Sequence, residues 1–196
     1  MSLMRKPQPS AKAVFARKGA FRLLYAITVA LVLSVVIGRS APVSETEVKA
    51  AFLFNFAKFV TWPTQAFSSE TAPIQLAVFG DEEVTSTLKS LLSDKKAHGR
   101  SFEVKRILSP QEAKNFQIVY ITSTENRRAS QILEVTRKLP VLTVGESDQF
   151  LDLGGMINFL FEDSQLRFEI NPEPAEKVKL EISSKLLRLG NKRSPK

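Results

Sequence analysis

Short apolar segments alternate with amphipathic segments along the middle of the chain, and this alternation limits the fold more than any other feature. Four segments have the character of strands: IQLAVFG (74–80), FEVKRI (102–107), FQIVYIT (116–122) and VLTVG (141–145). The third is apolar throughout, as a central strand buried on both faces requires. Helical periodicity separates the strands. The pattern predicts an α/β fold with a mixed, mostly parallel sheet and helices on both faces.

The connecting and C-terminal segments complete this fold. Asp81 is expected to cap a helix that runs to Leu92, a brief helix is predicted at 110–114, and a longer one at 125–138. MINFLFE and LRFEI predict an antiparallel hairpin across residues 163–165. Two further helix starts are predicted, one with Asn171 as N-cap and Pro172 as first residue, the other capped by Ser183 or Ser184. The whole predicts one layered domain with a C-terminal hairpin.

The first helix, predicted at 45–62, is apolar on two sides. Its main stripe follows a four-and-three spacing: Val48, Phe52, Asn55, Phe59 and Trp62. Phe54 points almost the opposite way, among alanines, while Asn55 and Lys58 lie at the rim of the apolar face. Ser44 or Thr46 can cap the helix, and Pro63 is expected to end it. The second apolar side either packs inside the domain or meets another protein.

The first 40 residues differ in charge from the rest. They carry seven Lys and Arg and no acidic residue, whereas residues 41–196 carry 21 basic and 20 acidic side chains. The formal charge of +8 therefore belongs to the N-terminus, and the nearly neutral remainder argues against nucleic-acid binding. An uncharged stretch at 23–37 followed by GRSAPV is typical of a secretory signal cut after Ser40. We predict a signal peptide at 1–40, with an uncleaved anchor as the alternative, and one exported domain at 41–196.

The sequence contains little that could perform chemistry. It has no Cys and one histidine, His98, in a polar run that predicts a solvated loop, so thiol catalysis and multi-His metal sites are excluded. Asp81 is better explained as a helix cap than as a Mg²⁺ ligand, because the third strand delivers no second aspartate. Gly154 and Gly155 lie outside any phosphate-binding pattern and predict a tight turn with positive φ. No catalytic residue, cofactor or metal site is predicted.

Several segments resemble the YfiR-like family. They are VKAAFLFNFAKFVTWP (48–63), HGRSFEV (98–104), PVLTVGES (140–147) with Phe150, GGMINF (154–159), LRFEIN (166–171) and ISSKLLRLG (182–190). The segments occur in the order of the family and span nearly all of the chain after residue 40. The long first segment, GGMI and the RF-x-IN pattern together make the resemblance specific.

The resemblance implies a small periplasmic α/β protein without catalysis, cofactor or metal. Proteins similar to YfiR repress an inner-membrane diguanylate cyclase of the YfiN type by binding its periplasmic sensor region. Release of that contact raises cyclic-di-GMP and favours biofilm. The implied partner is therefore such a cyclase or another membrane sensor protein.

Ten positions match the motifs of the family. Five are expected to bind the partner, namely Phe54, Asn55, Lys58, Trp62 and Arg167, and five to hold the fold, namely Phe52, Pro63, Gly154, Gly155 and Asn171. Strand alternation in LRFEI directs Arg167 outward. Arg167 is expected to bind a partner carboxylate or to pair with Glu169 or another hairpin neighbour.

Other functions stay open at this point. One is a periplasmic small-molecule binder, with the ligand in the crevice beyond the strand ends near Gly80, Thr122 and Gly145. Another is a hydrolase that uses carboxylates alone, although no convergent carboxylate cluster is visible in the sequence. The second apolar side of the first helix suits a homodimer as well as a different partner.

Overall fold

The computed structural model describes residues 44–162 and 165–192, which belong to one compact unit, Val43–Lys196. In that part of the chain the strands are β1 (Val60–Thr61), β2 (Ile74–Phe79), β3 (Lys96–Ala97), β4 (Arg100–Ile107), β5 (Ile118–Ile121), β6 (Leu142–Gly145), β7 (Ile157–Glu162), β8 (Gln165–Ile170), β9 (Glu181–Ile182) and β10 (Asn191–Lys192). The α-helices are α1 (Glu45–Phe59), α2 (Glu82–Leu92), α3 (Ala129–Thr136), α4 (Glu173–Lys177) and α5 (Ser184–Leu189). Short 3₁₀ helices occupy Thr64–Ala66, Pro110–Asn115 and Ser123–Arg128.

The main sheet has the strand order β10-β8-β7-β6-β5-β2-β4-β3. Its centre, from β7 through β6, β5 and β2 to β4, is parallel, whereas β7 and β8 pair antiparallel, as do β3 and β4. β1 and β9 form a separate antiparallel pair. The predicted α/β fold, with its mostly parallel sheet and C-terminal hairpin, is therefore confirmed. The central turn residues of the hairpin, 163 and 164, lie outside the described residues.

Two apolar layers cover the sheet, one on each face. In β5, Ile118 and Tyr120 belong to the layer that includes α1, while Val119 and Ile121 belong to the layer that includes α3. All four residues are at most 1% exposed. A strand with both faces buried must be apolar at every position, which is why FQIVYIT shows no alternation.

Helix α1 begins where the sequence predicts and ends earlier. Ser44 and Glu47 form a capping box, in which the Ser44 N–H donates to Glu47 Oε2 (2.7 Å) and the Glu47 N–H donates to Ser44 Oγ (3.2 Å). The prediction that the helix reaches Trp62 is wrong, because Val60 and Thr61 leave it to pair with β9. A local hydrophobic period carries no information about that distant strand partner.

His98 does more than face solvent. Its side chain reaches the end of α1, where Nε2 lies 3.1 Å from the carbonyl oxygens of Ala57 and Val60. In the tautomer that carries its hydrogen on Nε2, the ring donates to these two carbonyls at the end of α1. The prediction of a solvated loop histidine is confirmed, since His98 is exposed in the turn between β3 and β4, and the structure adds its contact with the end of α1.

The other helices lie where they were predicted, but some of their caps and first residues differ from the prediction. Asp81 occupies the N-cap position of α2, yet its side chain accepts no capping hydrogen bond and instead lies 3.4 Å from Thr124 Oγ1. The segment predicted as a helix at 125–138 begins as a 3₁₀ turn and becomes α-helical at Ala129. Helix α4 starts at Glu173, one residue later than predicted, with Asn171 Oδ1 accepting from the Glu173 N–H (3.2 Å).

Aromatic rings join α1 to the hairpin. Phe56 contacts Phe168 edge-on at 5.1 Å between centroids and stacks on Phe159 at 5.6 Å. Phe52 lies at the border of this cluster, 5.4 Å from Phe168. Aromatic pairs at such distances contribute about 0.5–1.5 kcal/mol beyond burial. The cluster fixes α1 against β7 and β8 and thereby positions the surface described next.

Candidate partner-binding surface

A groove of about 340 Å³ lies where α1, β8 and α5 meet. It is lined by Phe52, Leu166, Arg167, Phe168 and Leu189, and we call it the hairpin groove. Leu189 is 69% exposed. Phe161, directly opposite Leu166 in the hairpin, is 56% exposed and extends the apolar surface. Exposed apolar side chains gathered around a groove are typical of a binding surface.

Arg167 is the charged residue of this groove. Its Nη1 lies 3.3 Å from Glu162 Oε2, and both side chains are nearly half exposed. Of the pairings expected from the sequence, the isolated chain therefore has the one with a hairpin neighbour. A pair this exposed contributes little stability, about 0–1 kcal/mol, so Arg167 can exchange Glu162 for another carboxylate at small cost.

Phe54, Asn55 and Lys58 lie on a different surface. Phe54 and Asn55 line a cleft of about 210 Å³ between α1 and α2, together with Leu92 and Lys95. The Phe54 ring is half-buried 5.9 Å from that of Phe102, and the Lys58 and Lys95 ammonium groups lie 5.5 and 6.0 Å from its centroid. The second apolar side of α1 is thus largely covered by α2 and β4. The structure does not bring Phe54 and Arg167 into one site.

Trp62 and Pro63 connect α1 to the sheet. Trp62 is 7% exposed, and its Nε1–H donates to the Gln117 carbonyl (3.2 Å), just before β5. Pro63 follows in extended conformation and precedes a 3₁₀ turn. In this position Trp62 is part of the core and not of the exposed surface.

The glycine pair serves the turn before β7. Gly154 has φ +97°, which agrees with the predicted turn of positive φ, and the space around its missing Cβ is open. At position 155 glycine is needed for a different reason, because a Cβ there would overlap the ring of Phe150. The pair therefore combines a left-handed backbone with a close approach of backbone to ring.

A buried ionic cluster, which the sequence analysis did not find, lies at the carboxyl ends of β5 and β6. Lys49 Nζ is 2.7 Å from Glu146 Oε1 and 2.5 Å from Glu45 Oε1. The Tyr120 hydroxyl donates to Glu146. Burial, reinforced by the Glu146 charge, raises the pKa of Tyr120 far above its usual range. The sequence feature that could have indicated this cluster is Lys49, a charged residue within an otherwise apolar run of α1.

Side chains pack closely against two of the residues named for the small-ligand crevice. At Gly80 the space next to the backbone is occupied by the Thr122 side chain, and at Gly145 by the Phe150 ring. A cavity of about 520 Å³ lies elsewhere, near the amino ends of β2 and β5, and is lined by residues such as Phe67, Phe116 and Gln117. Tight packing of side chain on backbone is thus the structural role that Gly80 and Gly145 have in this structure.

Neither a metal-binding cluster nor a membrane-spanning helix is present in the part of the chain that the structure describes. Residues 44–162 and 165–192 contain no group of three or more His, Asp or Glu side chains placed to hold a metal ion. In the same residues no helix combines the length and the apolar character needed to cross a bilayer.

Comparison with known proteins decides the family. Residues 46–191 match the YfiR/HmsC-like family, which is about three quarters of the chain. The chain belongs to the YfiR/HmsC-like family. This confirms the resemblance carried by the motifs, and YfiR-like proteins are periplasmic regulators rather than enzymes, connected with diguanylate cyclases.

A solved structure shares the YfiR-like chain's fold. The crystal structure of a conserved domain protein from Vibrio cholerae O1 biovar El Tor strain N16961 superimposes with a TM-score of 0.55 at 12% sequence identity. The alignment covers 77% of this chain and 60% of the Vibrio chain, so the protein spans less than two thirds of that chain's length. No curated protein matches the sequence significantly.

Proposed function

We propose that this YfiR-like protein binds the periplasmic region of an inner-membrane diguanylate cyclase and holds the enzyme in its inactive state. The family match over residues 46–191 carries the proposal. The charge pattern of residues 1–40 supports export, because a basic segment followed by an uncharged stretch is what the secretory machinery recognises. The near-neutral charge of residues 41–196 supports a protein partner over a nucleic acid.

The hairpin groove supports a contact of this kind. Phe52, Leu166 and Leu189 supply apolar surface, and Arg167 supplies one exchangeable charge. Binding energy at protein interfaces is concentrated in a few aromatic and arginine residues near the centre of the contact. We place the contact with the cyclase here and assign Phe54, Asn55 and Lys58 to the cleft between α1 and α2.

Repression needs only a difference in affinity between two states of the cyclase. If the protein binds the inactive sensor region about 100-fold more tightly than the active one, the equilibrium shifts by about 2.7 kcal/mol. One or two anchor side chains at an interface commonly supply about 2 kcal/mol each. No chemical step is required of this chain.

The test has a cellular and a purified arm. Deleting the gene should raise cyclic-di-GMP and biofilm mass, and restoring the full chain should reverse both. A chain that begins at Ala41 is the matched control, because it lacks the proposed export signal and should not restore repression. Purified full-length protein should bind the isolated periplasmic region of at least one diguanylate cyclase of the same cell. Unchanged cyclic-di-GMP after deletion, with no such binding, would refute the proposal.

A further inference from the structure

One side of β8 is only partly paired. β7 pairs with all six residues from Gln165 to Ile170. On the other side β10 pairs only with Glu169 and Ile170. Among residues 44–162 and 165–192, no strand pairs with Gln165–Phe168 on that side, and no backbone hydrogen bond from outside the hairpin reaches them. Since strand peptide groups alternate in direction, some of these N–H and C=O groups point outward from the sheet.

The hairpin groove runs along this same edge. Leu166, Arg167 and Phe168 all line it, although successive side chains of a strand point to opposite faces of the sheet. A cavity that contacts three consecutive residues of a strand must therefore pass along the strand's edge. Phe52 and Leu189 form its wall on the α1 side.

The free edge lacks two of the usual protections. Natural edge strands carry prolines, bulges or charged side chains, or are covered by a helix or loop, and so avoid pairing with another strand. β8 from Gln165 to Phe168 contains neither proline nor bulge, and its pairing with β7 is regular throughout. Exposed Phe161 and Leu189 lie beside it. Such an edge is a template for strand addition.

We propose that an extended segment of the partner adds to the sheet along Gln165–Phe168. Its backbone pairs with the outward groups of β8, its apolar side chains enter the hairpin groove beside Leu166 and Phe168, and an acidic side chain on the opposite face takes Arg167 from Glu162. This inference rests on the proposed function and specifies the chemistry of its partner contact: an extended segment that alternates apolar residues with a carboxylate.

Charge favours a different protein over a second copy of this chain. An antiparallel pair of β8 strands gives Arg167 no carboxylate in either register that the free residues allow: centred on Arg167, two guanidinium groups face each other, which is destabilising, and centred on Leu166, Gln165 faces Arg167. A carboxylate opposite Arg167 converts that repulsion into an attraction. A homodimer through this edge is therefore an outcome of the test that contradicts the inference.

The experiment uses full-length protein and the purified periplasmic region of the cyclase that binds it. Arg167→Glu should weaken binding at least 10-fold, whereas Arg137→Glu, which reverses another exposed arginine paired with a glutamate, should change it less than 2-fold. Leu189→Asp should likewise weaken binding, and Leu108→Asp is its control, since the two leucines are 69% and 65% exposed. Hydrogen exchange of the amides in Gln165–Phe168 should slow in the complex.

The outcomes separate the inference from the proposed function. Binding that survives Arg167→Glu and Leu189→Asp, with unchanged exchange at Gln165–Phe168, overturns the strand-addition inference and leaves the proposed function intact. Weakened binding without slower exchange points to side-chain docking alone and also overturns it. Concentration-dependent protection of these amides in the protein by itself indicates a second copy. No binding by the wild-type protein overturns both proposals.

Discussion

Lys49 and Glu146 form an ion pair of 2.7 Å between Nζ and Oε1, with each side chain only 10% exposed. The pair joins the first turns of α1 to the loop that follows β6. Glu45 and the Tyr120 hydroxyl complete the polar contacts of the two charges. A buried charge without its partner is costly, so this pair fixes where α1 lies on the sheet.

Removing one member of this pair should strongly destabilise the protein. Lys49→Met leaves Glu146 without its cation in a site of low exposure, and we expect a loss of about 3 kcal/mol in the free energy of unfolding. Lys177→Met is the control, because Lys177 pairs with Glu173 on the surface, where both side chains are more than half exposed. Urea titration measures both. Equal losses in the free energy of unfolding for the two variants would show that the buried pair stabilises the protein no more than the exposed one.

Tyr120 should make the protein sensitive to alkaline pH. Its pKa is raised in the folded state by burial, then by the Glu146 charge, while the unfolded chain ionises near the ordinary value of 10. Stability from this group is therefore complete below pH 10 and falls above it, by about 1.4 kcal/mol per pH unit. Urea midpoints should drop more steeply between pH 9.5 and 11 in the wild type than in Tyr120→Phe.

The same ionisation can be observed by absorbance. Tyr25 is the only other tyrosine of the sequence, so the difference between wild-type and Tyr120→Phe spectra reports Tyr120 alone. We expect no phenolate signal from Tyr120 until the protein unfolds. A phenolate signal near pH 10 from folded protein would contradict the burial argument.

Gly155 should tolerate alanine less well than Gly154. A Cβ at Gly155 would overlap the Phe150 ring, whereas at Gly154 it would meet open space and only the positive φ opposes it. We expect about 1–2 kcal/mol of destabilisation for Gly154→Ala and clearly more for Gly155→Ala. Phe150→Leu in the Gly155→Ala background should recover part of the loss. Additive effects in the urea-derived double-mutant cycle would argue against a direct clash.

Substitutions at Phe54 and Arg167 should have opposite effects: one should lower stability and the other should weaken binding to the cyclase. Phe54→Ala removes a half-buried ring from the contact with Phe102, and we expect about 2 kcal/mol of destabilisation with cyclase affinity unchanged within 2-fold. Arg167→Ala should do the opposite, with stability within about 0.5 kcal/mol of wild type and weaker binding. Urea unfolding and calorimetric titration test both. The reverse pattern would place the partner on the cleft between α1 and α2.

Residue patterns predicted most of the elements because their causes are local. The all-apolar run at β5 follows from burial on both faces, and Ser44 and Glu47 form their capping box within one turn. The predictions failed where a distant segment decides. Val60 leaves α1 because Ile182 pairs with it. The contact of the exposed His98 with the Val60 carbonyl, 38 residues earlier, was likewise not predicted.

The candidate site likewise has features that the local sequence predicts and features that distant segments decide. The sequence identified Arg167 as outward-facing, since alternation in a strand is a local rule. It could not show that Phe54 would be covered by Phe102, nor that Leu189 would stay exposed while Leu186, three residues earlier, is 2% exposed. Helix α5 is only six residues long, and what its last turn meets depends on where β8 and α1 lie.

The sequence by itself determined the α/β class, the family, the charge segregation at the N-terminus and the lack of thiol or multi-histidine chemistry. Each depends on composition, period or motif, which are properties of neighbouring residues. Only the tertiary structure decided which apolar side chains stay exposed, which edge of the sheet stays open, and that Lys49 and Glu146 meet. Those facts depend on contacts between segments as distant in sequence as Val60 and Ile182, because burial and pairing are set by the partner as much as by the residue.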